Sequence, residues 1–179
     1  MQLLSLQRLE RNRPAINIYT KSGEDPALFH EALLDTGAVF PVFTKGKEVL
    51  VALGGILKKE NVSFNGFGGE VSADLYEISV FLGNESSTII FPNMSILCIN
   101  DPTIGFPFVL SATMFEEFDY TISNRGHRVL FETDSNQVCY NFKIQDKGGK
   151  LHVFLNRSPN DTQNMDISWL AELLNQRTP

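Results

Sequence analysis

Ala32-Leu33-Leu34-Asp35-Thr36-Gly37-Ala38 is the stretch on which the reading of this chain turns. An apolar run leads straight into a carboxylate, a hydroxyl and a glycine. Burial penalises the charged form of an acid, so an Asp at the end of such a strand is either paired or put to chemical use. An acid that activates water needs a second group beside it. The chain has no second Asp-Thr-Gly; Asp134-Ser135-Asn136 comes nearest and lacks the glycine. If Asp35 is catalytic, the partner it requires is Asp35 of another copy.

Working outward, Ile16 to Thr20 alternates apolar and polar residues, a strand signal. Lys21-Ser-Gly-Glu-Asp-Pro26 is a turn cluster, and Leu28 to Leu34 is the returning strand. The hairpin therefore delivers an acid at its end. Residues 1–13 are mixed and polar and fit an arm or an edge strand. Beyond the acid, Val39 to Phe43 is apolar but interrupted by Pro41. Glu48 to Leu53, followed by Gly54-Gly55, predicts one or two helical turns with a glycine stop.

Ile56 to Phe64 and Glu70 to Leu82 flank Asn65-Gly66-Phe67-Gly68-Gly69, which predicts a β-hairpin. Its tip holds more glycine than a tight turn needs. Spare glycines ease opening and closing and let backbone N–H groups approach a ligand. Thr88 to Phe91 and Ser95 to Ile99 read as two short strands around Pro92-Asn93, and Asp101 to Gly105 as a turn. Phe106 to Leu110 is an apolar strand. Ser111 to Phe118 fits a short helix with Ser111 or Thr113 as its cap. Asp119 to Ser123 and Val129 to Phe131 form a hairpin around Asn124-Arg-Gly-His127, with Asp119 as a turn or cap residue.

After residue 133 the character changes. Val138 to Ile144 and Leu151 to Leu155 flank Asp146-Lys-Gly-Gly149, one further hairpin. Ser158-Pro-Asn-Asp-Thr162 reads as a linker. Asp166 then caps a helix in which Ile167, Leu170, Leu173 and Leu174 share a face. That stripe must be buried on the body of the protein or on a second chain. The organisation expected is a domain over 1–133 and a hairpin-plus-helix extension over 134–179.

A chain of 179 residues can bury one good core. Its net charge of −6, without a Lys/Arg-rich run, argues against nucleic acid or an anionic membrane as a partner. No apolar segment is long enough to span a bilayer, and the start lacks the pattern of a signal peptide. Cys98 and Cys139 sit in apolar contexts and read as buried free thiols, which suits a reducing cytoplasm. His30, His127 and His152 have no metal-ligand spacing, and neither a metal nor a cofactor is expected. Ser111 and Thr113 have no base placed by sequence to make them nucleophiles.

Three blocks in order carry a resemblance. Glu31-Ala-Leu-Leu-Asp35-Thr-Gly-Ala38 resembles the active-site strand and turn of retropepsins, the retroviral-type aspartic proteases. Asn65-Gly-Phe-Gly-Gly69 resembles their glycine-rich flap tip. Phe108 to Phe115, followed by Asp119-Tyr-Thr-Ile122, resembles their late strand, single helix and closing strand. Arg13-Pro14 with Ile16 and Ile18 also suits the family's opening strand. Asp-Thr-Gly-Ala alone would arise by chance in roughly one chain of this size in several hundred. The ordered trio, spanning residues 13–132, is much more specific.

The resemblance implies an all-β fold: an acid-protease barrel or sandwich with one short late helix, extended here by the C-terminal hairpin and helix. It implies an endopeptidase that cuts extended polypeptide as a homodimer, with one Asp35 from each subunit. Thr36, Gly37 and Ala38 would support the acid. Gly66, Phe67, Gly68 and Gly69 would form the flap over the substrate. This chain departs from the pattern in two places. Val39 and Phe40 stand where retroviral enzymes carry two more acids, and Ser111-Ala-Thr113 replaces a Gly-Arg-Asp/Asn triplet. The alternative reading is therefore a catalytically degenerate module of the same fold that binds peptide or dimerises.

Overall fold

A computed structural model describes residues 2–8, 14–66, 68–83, 87–123, 128–158 and 166–176. The chain is built predominantly of strands. In order they are β1 (Gln2–Arg8), β2 (Pro14–Thr20), β3 (Leu28–Asp35) and β4 (Val42–Phe43). Helix α1 (Lys47–Ala52) separates these from β5 (Ile56–Gly66), β6 (Gly69–Gly83), β7 (Thr88–Cys98) and β8 (Phe108–Ser111). A single 3-10 turn (Ala112–Phe115) follows, then β9 (Tyr120–Ser123), β10 (Arg128–Phe131), β11 (Gln137–Lys147) and β12 (Lys150–Arg157). Helix α2 (Ser168–Asn175) comes last.

The β2–β3 hairpin pairs antiparallel from Ala15↔Leu33 to Thr20↔Leu28. β3 then lies parallel to β8, and β8 antiparallel to β4, which itself runs parallel to β7. β7 pairs with β6, and β6 returns to β2 at Tyr19↔Phe81. The path β2-β3-β8-β4-β7-β6 thus ends where it began, a closed ring of six strands. Closure removes edges that would otherwise be open to another chain. The ring buries one face of β3 and β8, with Ala32, Leu34, Phe108 and Leu110 in the main core, and Ala15 and Phe106 cover Leu33 and Val109 on the other. That is why Ala32, Leu33, Leu34 and all four residues of β8 are buried without alternation.

The expectation for residues 1–13 resolves in part. β1 is a strand, paired with β10 over Gln2–Ser5 and with β2 over Leu6–Arg8, while residues 9–13 lie outside the described residues. The two short strands expected around Pro92-Asn93 are one continuous strand, β7. Its partner β6 slips register between Ile78 and Val80, and Asn93 takes a left-handed φ of 45° there. A bulge admits Pro92, which cannot donate to the ladder, without ending the strand. Helix α1 stops at Gly54, φ 97°, as the glycine pair predicts. A side chain on Gly55 would collide with Leu50 at 2.7 Å.

Phenylalanine fills the interior. Phe91, Phe115, Phe118, Tyr120, Phe131 and Tyr140 interlock at centroid distances from 4.6 to 6.4 Å, many edge-on. Tyr140 belongs to β11, which adds parallel to β7 and contributes Val138, Phe142 and Ile144 to the same core. The β11–β12 hairpin turns through Gly148 and Gly149 as expected. The linker expected from Ser158 falls mostly outside the described residues, as does the Asn124–His127 turn. The α2 stripe is buried on the body of the chain. Ile167, Leu170, Leu173 and Leu174 gather with Trp169 around Tyr19, Phe81, Ile90 and Cys139. Asp166 accepts the Ser168 N–H at 2.9 Å, ahead of the first helical turn. Among the described residues no helix is long and apolar enough to cross a membrane.

His30, midway along β3, is bonded through Nε2 to Thr20 Oγ1 at 2.8 Å and packs its ring on Phe108. Burial lowers its pKa from 6.5 to about 4, so the folded chain keeps it neutral. Between those two values the unfolded chain binds a proton that the folded chain does not. Stability therefore falls as pH drops from 6.5 towards 4. The partly exposed ring limits the loss to about 1–2 kcal/mol. Thermal unfolding between pH 7 and 4.5 should show this decline, and His30→Gln should flatten it; an unchanged slope would assign the acid sensitivity elsewhere.

Candidate active site

Asp35 is the last residue of β3, and the ladder to β8 sets it beside Ser111. The residues before it on both strands are apolar and buried, so the acid emerges where the core ends. The turn that follows is tight. Ala38 N–H returns to the Asp35 carbonyl at 3.1 Å, and Gly37 N–H donates to Asp35 Oδ1 at 3.0 Å. A Cβ on Gly37 would stand 3.4 Å from that oxygen, so glycine leaves the carboxylate approachable. Thr36 and Gly37 are exposed, Ala38 is half-buried, and Val39 is 54% exposed.

The turn is tied to the strand beside it by hydroxyls. Thr113 Oγ1 donates to the Val39 carbonyl, and Ser111 Oγ lies 2.8 Å from Thr113 Oγ1. Thr113 has one hydroxyl proton and gives it to Val39, so Ser111 is the donor of the second bond. Ala112 N–H adds a third tie, to the Ala38 carbonyl at 3.0 Å. This corrects the expectation that Ser111 or Thr113 caps a helix. Ser111 occupies the cap position but makes no side-chain cap bond, and the element after it is a 3-10 turn rather than an α-helix. Both hydroxyls serve the Asp35 turn instead. Two hydroxyls at this spacing look the same in sequence whether they cap a helix or tie a distant loop; the deciding partner, Val39, is 74 residues away.

The glycine-tipped hairpin is present as β5 and β6, paired up to Gly66↔Gly69. Phe67 lies outside the described residues. Gly68 and Gly69 have φ of 95° and 127°, which other residues rarely adopt, and open space surrounds both. The arm touches the acid-bearing turn through rings: Phe64 of β5 meets Phe40 edge-on at 6.2 Å. Phe40 comes five residues after Asp35, so the hairpin stands against the same end of the barrel. The sequence reading did not find this contact, because neither ring belongs to a recognisable motif.

The other groups that the sequence brings forward are placed as follows. Asp134, from the nearest analogue of a second Asp-Thr-Gly, is held by Arg157 through two bonds of 2.6 and 2.7 Å. Those bonds hold its carboxyl below the usual range. Cys98 and Cys139 are buried and free, and burial raises the Cys98 thiol to about 11, which keeps it protonated. His152 is exposed on β12, and His127 lies outside the described residues. Among the described residues no group of three or more His, Cys, Asp or Glu side chains could hold a metal ion. Comparison with protein-family models, curated proteins and solved structures found no match to this chain.

Thr113→Val keeps the shape of the side chain but strands the Val39 carbonyl and the buried Ser111 hydroxyl. The expected loss is about 1–2 kcal/mol in denaturant unfolding, with Thr113→Ser restoring most of it. Amide exchange at residues 36–40 should rise more than in β7; a uniform rise would show that the hydroxyl tie does not govern the turn.

Proposed function

We propose that this chain is a retropepsin-like aspartic endopeptidase, acting on extended polypeptide as a homodimer. One observation carries the reading. A single carboxylate at the mouth of a closed six-stranded barrel receives a glycine N–H, and a glycine-tipped hairpin stands against the same turn. The three sequence blocks that resemble the family supply exactly these parts in the same order.

The chemistry follows from bringing two copies of Asp35 together. Two carboxyls in contact cannot both ionise, so the pair holds one proton and titrates as a unit. Aspartic proteases work through such a dyad. The ionised Asp35 takes a proton from a water held between the acids, and the water oxygen attacks the scissile carbonyl. The protonated Asp35 of the other subunit hydrogen-bonds the carbonyl oxygen as it gains charge. The proton taken from water then goes to the leaving nitrogen, the C–N bond breaks, and the dyad again shares one proton. Gly37 N–H, at 3.0 Å from Oδ1, would keep the carboxylate oriented. Thr36, exposed at the turn, is available to bond across the two-fold axis. The substrate would lie extended between the β5–β6 arm and the barrel, as an added strand.

The alternative, a peptide-holding module without turnover, draws on one feature. Val39 and Phe40 place apolar surface where the family carries acids. The two readings part on a single substitution. Incubated with a mixed peptide library from acid to neutral pH, the wild-type chain should cleave, and Asp35→Asn should lose at least about a thousandfold in rate. Specific activity should also rise with protein concentration as dimers form. Equal cleavage by both proteins removes the peptidase assignment. Binding without cleavage by either leaves the module.

A further inference from the structure

The β5–β6 hairpin is anchored unevenly along its length. Near its base, Lys58 of β5 pairs with Glu77 of β6 at 2.9 Å. Lys143, on β11, pairs with the same Glu77 and donates to the Asn93 carbonyl at 2.7 Å. Lys59, the next residue of β5, reaches Asp146 of β11 at 2.7 Å. Asp146 also accepts the Gly149 N–H at 3.0 Å, which fixes it in the β11–β12 turn. Among the described residues β5 pairs in the sheet with β6 alone, and it reaches the C-terminal hairpin by lying close to β12 and through the Lys59–Asp146 ion pair.

Just past the lysines the strand changes character. Register slips occur between Leu57 and Lys59 and again between Lys59 and Val62. Asn61 lies within the second slip with a left-handed φ of 55°, and its N–H is held by Asp74 Oδ1 at 3.0 Å. The cross-strand pair Val62↔Ala73 is then buried in the main core. Burial alone does not mark the base of β5, since Ile56 to Asn61 are all exposed; beyond the pair the described residues are exposed or half-buried, and Phe64 alone packs on the main core and on Phe40. Bulges bend a strand locally and loosen its ladder, which is where a hinge forms.

We propose that the β11–β12 hairpin is an ionic brace for the base of the β5–β6 hairpin, so that the arm from Ser63 to Ser72 moves as one unit about the Val62–Ala73 pair. The brace decides where the arm bends. Without it, the slips near Lys59 would allow β5 to peel from Ile56 onward, and the pivot would move towards the barrel. The assignment goes beyond the peptidase reading and stands whether or not Asp35 cuts peptide, because it concerns only which amides open together. It also gives residues after 133 a mechanical role towards the glycine tip.

Hydrogen–deuterium exchange on the full chain tests it. In the wild type, amides of residues 63–72 should exchange as a group, faster than those of 56–60 and 73–78. Lys59→Ala and Asp146→Asn should each raise exchange at 56–60 about two- to fivefold, as suits a half-exposed ion pair. The double substitution should add nothing further, and Ser95 to Cys98 of β7 should not change. Asn at 146 keeps an acceptor for Gly149, so the turn survives. No change at 56–60, or the same rise in β7, overturns the proposal. If a substitution unfolds the chain, wild-type protein in 1 M salt replaces it. Selective loosening at 56–60 there supports the brace, and unchanged protection refutes it.

Discussion

The parallel ladder between β3 and β8 is the constraint from which the rest follows. Both strands are buried on both faces, and their register runs from Ala32↔Phe108 through Leu34↔Leu110 to Asp35↔Ser111. The two strands therefore run out of apolar residues at the same level. A slip of one residue would carry a leucine into the turn or pull the carboxylate into the core, and the desolvation of an unpaired charge opposes the second strongly. The register is thus set by hydrophobic burial and enforced by the acid. β4, which packs against the other edge of β8, holds the segment after the turn in place.

What could be read from the sequence was what local periodicity and turn chemistry determine. The alternation of Ile16 to Thr20, the Gly54-Gly55 stop, the glycine tip at 66–69 and the Asp146–Gly149 turn each specify a short piece of backbone. The pieces that escaped depend on distant partners. β7 runs on through Pro92-Asn93 because β6 slips opposite it, and nothing in β7 alone announces that slip. Ser111 and Thr113 look like caps because a cap and a loop tie use the same atoms. Phe40 and Phe64 meet because two unrelated segments converge at one end of the ring. The position of the acid was legible, and the network that holds its turn was not.

The change of composition after residue 133 reads as an appendage, yet its residues share the main core. Val138, Tyr140, Phe142 and Ile144 of β11 belong to the main core, while Cys139 between them is buried on the other side against the α2 cluster. Tyr140 packs at a tilt against Phe118, 4.6 Å between centroids, beside the 3-10 turn that follows Ser111. Removing that ring would leave a void among aromatic groups that have no smaller arrangement to fall back on. The abundance of phenylalanine finds its use here: flat, rigid rings fill a closed barrel with little loss of rotamer freedom. Helix α2, by contrast, packs around Tyr19 and Phe81, at the end of the β2–β3 hairpin remote from Asp35. Six residue steps of extended strand run from Phe29, opposite Tyr19, to the acid, a span of about 20 Å. A helix seated there cannot lie across the Asp35 turn.

The lone acid gives the proposed dimer its logic. Asp35 is half-buried and accepts the Gly37 N–H, and a lone carboxylate has no proton with which to polarise a carbonyl. The missing element is a proton held at neutral or mildly acid pH. A second carboxylate brought into contact supplies it, because repulsion between like charges raises one of the two pKa values. The two acids that come nearest to alternatives are engaged: Asp134 is bound to Arg157, and Asp74 to the Asn61 N–H. The surface beside the turn favours such a contact, since Thr36, Gly37 and Val39 are exposed around the acid. Covering Val39 on association removes apolar surface from water at the same moment as it lowers the polarity around the two carboxyls. On this reading, pairing and activation are one event, and the strength of the pairing sets the concentration at which the chemistry begins.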